Sequence, residues 1–142
     1  MMTADIHLHD HQKEAIAHAM FGGNTLFAHC VGAGKTFEMV ATAMKSKRLG
    51  FCTKSLFAVS NRLTEQIGDD FQKLYLGANI LVATKKDFKK ENRQQLFAKI
   101  TTCNYDAVII GHSQLGKISV SKERQVMTIQ SQIDDILRGI EN

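Results

Sequence analysis

Proline and tryptophan are absent from the 142 residues, and cysteine is scarce. Without proline, the turns fall to glycine, asparagine and aspartate. The three cysteines, Cys30, Cys52 and Cys103, are odd in number and far apart. No CxxC pair occurs, which argues against a zinc site or a redox dithiol and suits a reducing compartment. No apolar run approaches the ~20 residues that span a bilayer. Met1-Met2-Thr3-Ala4-Asp5 carries neither the basic nor the apolar region of a secretory signal. Repeats, low-complexity tracts and Gly/Ser linkers are missing as well. These absences predict a soluble, cytoplasmic chain with no membrane partner.

What is present is ordinary globular material. An apolar fraction of 44% against 23% charged residues allows a core, and a chain of this length buries roughly two-thirds of its unfolded surface in one domain. The formal net charge of +4 leans toward polyanion partners. Four short apolar runs recur: Leu26-Phe27-Ala28, Leu56-Phe57-Ala58-Val59, Ile80-Leu81-Val82 and Ala107-Val108-Ile109-Ile110. None alternates in and out, as expected of parallel strands covered on both faces. Amphipathic stretches separate them. Phe37, Val40, Ala41 and Met44 share a helix face starting near Lys35, and Leu63, Ile67, Phe71 and Leu74 share another across residues 62–75. Leu96, Phe97 and Ile100 mark a third helix, and Val126, Ile129, Ile133, Ile136, Leu137 and Ile140 a long fourth. The alternation predicts a three-layer α/β fold around a parallel sheet, with ligands bound at the strands' carboxyl ends.

Residues 26–36 run strand, glycine turn, helix start, and end in Gly32-Ala33-Gly34-Lys35-Thr36. Gly32 and Gly34 let the backbone curl so that successive N–H groups face a phosphate. The following helix adds the positive end of its dipole. Lys35 is placed to reach the β- and γ-phosphates of ATP, and the Thr36 hydroxyl to ligate Mg²⁺. The full GxxxxGK[ST] consensus wants glycine where this chain has His29, so only the GxGK[ST] half is present. By ordinary residue usage, a chance match in this length is on the order of one percent. The expected fold is therefore part of a RecA-like P-loop lobe.

Hydrolysis also needs an acid pair, one carboxylate on Mg²⁺ and one on the attacking water. Asp106 precedes its strand, and Asp69-Asp70 and Asp134-Asp135 fall within helical patterns. After the fourth run comes Gly111-His112 instead of acids. The expectation is an N-terminal part of a lobe, residues 1–142, that stops before its Asp-Glu strand and binds nucleotide without turning it over.

Several segments together resemble the front of the first motor lobe in superfamily 2 helicases, above all the Swi/Snf-type DNA translocases. Large helicase and adenine-specific DNA methyltransferase fusion proteins of phages and conjugative elements look most similar. Leu8-His9-Asp10-His11-Gln12 is similar to the family's L-R-P-Y-Q segment, whose glutamine reads adenine. The resemblance implies that role for Gln12, although the same residues also fit a helix capped by Asp10 with Gln12 exposed in its first turn. Residues 56–66 look like the V-P-x-x-L-x-x-Q-W motif, with Ser60 in place of proline and Ile67 in place of tryptophan. In the family this segment contacts DNA, which implies backbone contacts for Ser60, Asn61 and Arg62, although the same residues also fit simple capping of the following helix. Thr84, Lys85 and Lys86 begin a run holding four lysines in six residues after the third apolar segment, able to track phosphates or to form a solvated face. Ile110-Gly111-His112-Ser113-Gln114-Leu115 resembles T-T-Y-E-x-L, implying that His112 and Ser113 touch DNA. The family also implies a second RecA-like lobe downstream, supplying an arginine finger.

Two other function classes compete. A small P-loop kinase needs an arginine-bearing lid, and the five arginines are scattered. A nucleotide-binding remnant or interaction module would lack DNA affinity. Two further patterns are set aside. His7, His9 and His11 alternate, and with His18 they suggest metal ligands, yet the segment leads into a helix and no carboxylate pattern supports them. The apolar seam of residues 126–140 is too short for a coiled coil and reads as core, or as a face left exposed where the chain ends.

Overall fold

The computed structural model describes residues 2–3, 6–30, 32–118 and 122–140. Three parallel strands, β1 (Ser55–Val59), β2 (Ile80–Val82) and β3 (Ala107–Gly111), form a sheet in the order β1-β3-β2. Ala107 pairs with Ser55 on one side and Ile80 on the other, which fixes the register of both neighbours. The helices are α1 (Asp10–Phe21), α2 (Lys35–Arg48), α3 (Thr64–Leu74), α4 (Arg93–Thr102), α5 (His112–Leu115) and α6 (Lys122–Ile140). None is long and apolar enough to cross a membrane.

The layering follows from strand order. The step from β1 to β2 passes over the position of β3, and the step back to β3 runs the opposite way. Right-handed crossovers then put α3 and α4 on opposite faces. Two cores result. On one side Phe71 and Leu74 of α3 and Val40 and Ala41 of α2 pack on Phe57, Ala107 and Ile109. On the other, Leu96 of α4 and Phe88 pack on Val108 and Ile110. Period-two alternation along β3 thus feeds both cores, and every residue of the strand is buried. The α/β architecture with a parallel sheet is as its sequence predicts.

The sequence expectation fails at three places. Leu26-Phe27-Ala28 forms no strand: Leu26 is 86% exposed, and the Ala28 N–H donates to the Leu26 carbonyl at 3.1 Å, the i to i−2 bond of a γ-turn. An apolar run becomes a strand only where a neighbour accepts its backbone bonds, and among the described residues these three pair with neither edge of the β1-β3-β2 sheet. Covering on both faces holds for β3 but not for β1, whose Leu56 and Ala58 are exposed on the α4 side. The α6 seam is not core. Val126, Met127, Ile129, Ile133, Ile136 and Leu137 are all exposed, because periodicity specifies an apolar face without specifying what covers it.

The amino end of the sheet is tied by Asp106. Its carboxylate accepts from Lys47 Nζ at 2.5 Å and from the Asn79 N–H at 2.7 Å, joining the end of α2 to the starts of β2 and β3. Burial pushes this carboxyl up, but the bonds from Lys47 and Asn79 outweigh it and hold it below the ordinary range. With its last turn fixed there and Val40 and Ala41 at mid-sheet, α2 runs back along the strands. Its first turn therefore stands toward their carboxyl ends.

Candidate functional site

The glycine loop enters α2 with the predicted backbone. Gly32 has φ 88° and Gly34 φ 80°, left-handed values that side-chain-bearing residues rarely adopt. Gly34 is the N-cap of α2, and no side chain caps that first turn. The Phe37 N–H donates to the Gly34 carbonyl at 2.9 Å, which leaves the Lys35 and Thr36 N–H groups and the dipole to an anion. Lys35 folds back over the loop, donating from Nζ to the carbonyls of His29 and Cys30 at 2.9 Å each. Thr36 is half-buried beside it. A Cβ at Gly32 would meet nothing within 4 Å, whereas one at Gly34 would strike Gln12 Nε2. Curled backbone, helix start, ammonium and hydroxyl suit a triphosphate with its magnesium ion.

Gln12 is not the exposed first-turn residue of a capped helix. It is 3% exposed, and the cap of α1 is His9, not Asp10. The Gln12 Oε1 accepts the His9 N–H at 2.9 Å, while Nε2 donates to the Ala33 carbonyl at 3.1 Å and the Gly34 carbonyl at 3.4 Å. The amide thus latches α1 to the loop with both its polar atoms. Asp10 instead pairs with Lys13 one turn on, and the hydrogen bond from Lys13 draws its carboxyl below the ordinary range.

The strand ends gather a second group. Ser60, Asn61 and Arg62 follow β1, Thr84, Lys85 and Lys86 follow β2, and His112 and Ser113 follow β3, all exposed. Asn61 Nδ2 donates to Ser113 Oγ at 2.8 Å, and the Ser113 hydroxyl contacts Asn61 Oδ1 at 3.1 Å. Gly111 makes this contact possible, since a Cβ there would collide with the Asn61 amide. A cleft of ≈190 Å³ runs between these segments, lined by Asn61, Thr84, Lys85, Gly111 and Gln114, with Glu65 at its side. Gln114 is buried, and its Oε1 has no partner among the described residues. The two groups remain separate: among the described residues, no hydrogen bond or ion pair joins the loop to the strand-end cluster.

Some site residues were not foreseen. Asp87 accepts from the Thr84 N–H at 2.7 Å and from its hydroxyl at 2.6 Å, bonds that hold its carboxyl below the usual range. The [ST]-x-x-[DE] spacing was the available signal. It fixes Thr84 and sets an acid among the lysines. His29 and Glu38 were missed as a pair: His29 Nδ1 lies 2.7 Å from Glu38 Oε1, and Glu38 is fully buried. Nothing in a loop residue and a helix residue nine apart announces such a contact. No carboxylate pair stands at the carboxyl end of a strand beside the loop among the described residues. Asp106 lies at the amino end, and Asp69-Asp70 and Asp134-Asp135 lie in α3 and α6, as their sequence positions predict.

Comparison with known proteins gives one family. Its description is a probable helicase domain, and it matches residues 19–142. No curated protein matches the chain.

Proposed function

The chain belongs to the probable helicase domain family, and we propose that it is the ATP-binding portion of an ATP-dependent DNA helicase or translocase of the superfamily 2, Swi/Snf-like kind. The observation that carries this reading is the loop before α2: two left-handed glycines, an uncapped helix start, and Lys35 parked on loop carbonyls that it can leave for a phosphate. Gly32, Ala33 and Gly34 would cradle the phosphates, Lys35 would neutralise them, and Thr36 would hold Mg²⁺. Bound ATP supplies the phosphoanhydride whose cleavage drives a motor. Gln12, whose amide here ties α1 to the loop, would exchange those bonds for the adenine edge in reading the base.

DNA would lie along the carboxyl edge of the sheet. Asn61 and Ser113 offer a neutral hydrogen-bonding pair at one place, and Arg62, Lys85 and Lys86 offer cations around it, the mixture that phosphate backbones accept. A second RecA-like lobe in the same polypeptide would close the nucleotide cleft. A parent of the phage or conjugative-element fusion type would carry any methyltransferase elsewhere.

Two assays on the 142-residue chain test this. Filter binding to DNA at low salt is expected to show saturable, salt-sensitive affinity, and phosphate release from ATP is expected to stay at the buffer rate. Absence of DNA binding at every salt concentration would leave only a nucleotide-binding remnant. Rapid phosphate release would show a hydrolytic acid pair that this account does not contain.

A further inference from the structure

Beside the phosphate loop, on the side that faces α1, three side chains from three separate segments converge. His11 comes from the first turn of α1, His29 from the segment before the loop, and Glu38 from the first turn of α2. His29 Nδ1 is 2.7 Å from Glu38 Oε1. The His11 ring meets the His29 ring edge-on, with centroids 5.4 Å apart and planes at 82°. One ligating atom from each of the three lies within 4.8 Å of the other two.

Glu38 makes this more than a crowded corner. It is 0% exposed, and its Oε2 has no hydrogen-bond partner among the described residues. A desolvated carboxylate oxygen without a partner is costly, and buried charges persist where they are paired or hold a metal. Lys35, three residues before Glu38, is turned to the carbonyls of His29 and Cys30. What faces Glu38 is imidazole.

We propose that His11, His29 and Glu38 form a binding site for a divalent transition-metal ion of the zinc class. Two imidazoles and a carboxylate are a zinc donor set with one position left for water. Nitrogen donors select zinc, cobalt, nickel or copper over magnesium, which prefers oxygen, so this site is chemically distinct from one at Thr36. Zinc with ligands at about 2.0–2.1 Å holds them roughly 3.3 Å apart. His29 and Glu38, 2.7 Å apart, would open slightly around the ion, and exposed His11 would exchange its 3.4 Å contact with the Ala33 carbonyl for it. The ion would cross-link α1, the loop approach and α2 immediately behind Lys35. The alternating histidines His7, His9 and His11 misdirect at the sequence level. Only His11 takes part, and its partners lie 18 and 27 residues further along.

The test is titration of the untagged chain with Co²⁺, followed by the ligand-field absorption in the visible. No nucleotide is present, so its outcome is independent of ATP binding. One equivalent is expected, displaced by Zn²⁺ and not by excess Mg²⁺. His11→Gln, His29→Gln and Glu38→Gln should each weaken binding by about tenfold or more, the scale on which metal-site substitutions act. His7→Gln and His18→Gln should leave it unchanged. Circular dichroism identifies any variant that fails to fold. His11 is exposed, so His11→Gln carries the test even if Glu38→Gln unfolds. No absorption change, or undiminished binding in the folded His11→Gln variant, overturns the proposal.

Discussion

At Gly111 the fold depends on a missing atom. Any Cβ there would collide with the Asn61 amide, and the Asn61–Ser113 contact lies across the same point. Gly111→Ala must push Asn61 aside, and overpacking of this kind costs about 1–3 kcal/mol. Urea unfolding should show that loss, and Asn61→Ala in the same chain should relieve most of it. Gly34 presents the same problem twice over: its φ is 80°, and a Cβ would strike Gln12 Nε2. Asp106 is a residue-scale case of a different kind. Its carboxyl is held below the ordinary range by Lys47 and the Asn79 N–H, against the opposing effect of burial. A lowered carboxyl contributes stability above its unfolded value, about 3.9, and that contribution disappears as pH falls through the folded value. Asp106→Ala should therefore cost about 1–3 kcal/mol at neutral pH. The gap to the native chain, measured by urea midpoints, should narrow below about pH 4. A gap independent of pH would contradict the assigned ion pair.

Elements were legible where a local pattern is enough to specify them. The start of α2 at Lys35 follows from glycines, dipole and apolar face together, and β3 from a continuous apolar run centred on β-branched Val108, Ile109 and Ile110. What failed was whatever depends on a neighbour. Leu26-Phe27-Ala28 has strand composition but pairs with no strand among the described residues, and the described apolar side chains of α6 are exposed. The candidate site divides in the same way. The strand-end residues were readable because topology alone brings carboxyl ends together. The Gln12 latch and the His29–Glu38 pair were not, because they join segments whose spacing carries no period. The Thr84–Asp87 turn yields the element-scale prediction. It fixes the segment that bears Lys85, which lines the cleft, and Lys86, which follows it. Replacing both lysines by alanine should reduce the salt slope of DNA binding by about 1.4–1.8, two phosphate contacts' worth. An unchanged slope would mean that the lysines are only a solvated face.

For the molecule as a whole, a sheet with two cores and a helix pinned to it through Lys47 and Asp106 carries the glycine loop that we propose holds a nucleotide. The measurement that bears most directly on this account is isothermal titration of the intact chain with ATP-Mg, alongside Lys35→Ala. The native chain should bind one equivalent. Lys35→Ala removes charge-assisted hydrogen bonds while leaving the loop's glycines in place, and should weaken binding by about 1.5–3 kcal/mol, roughly ten- to a hundredfold. Equal affinity in the two chains, or no heat from either, would contradict it.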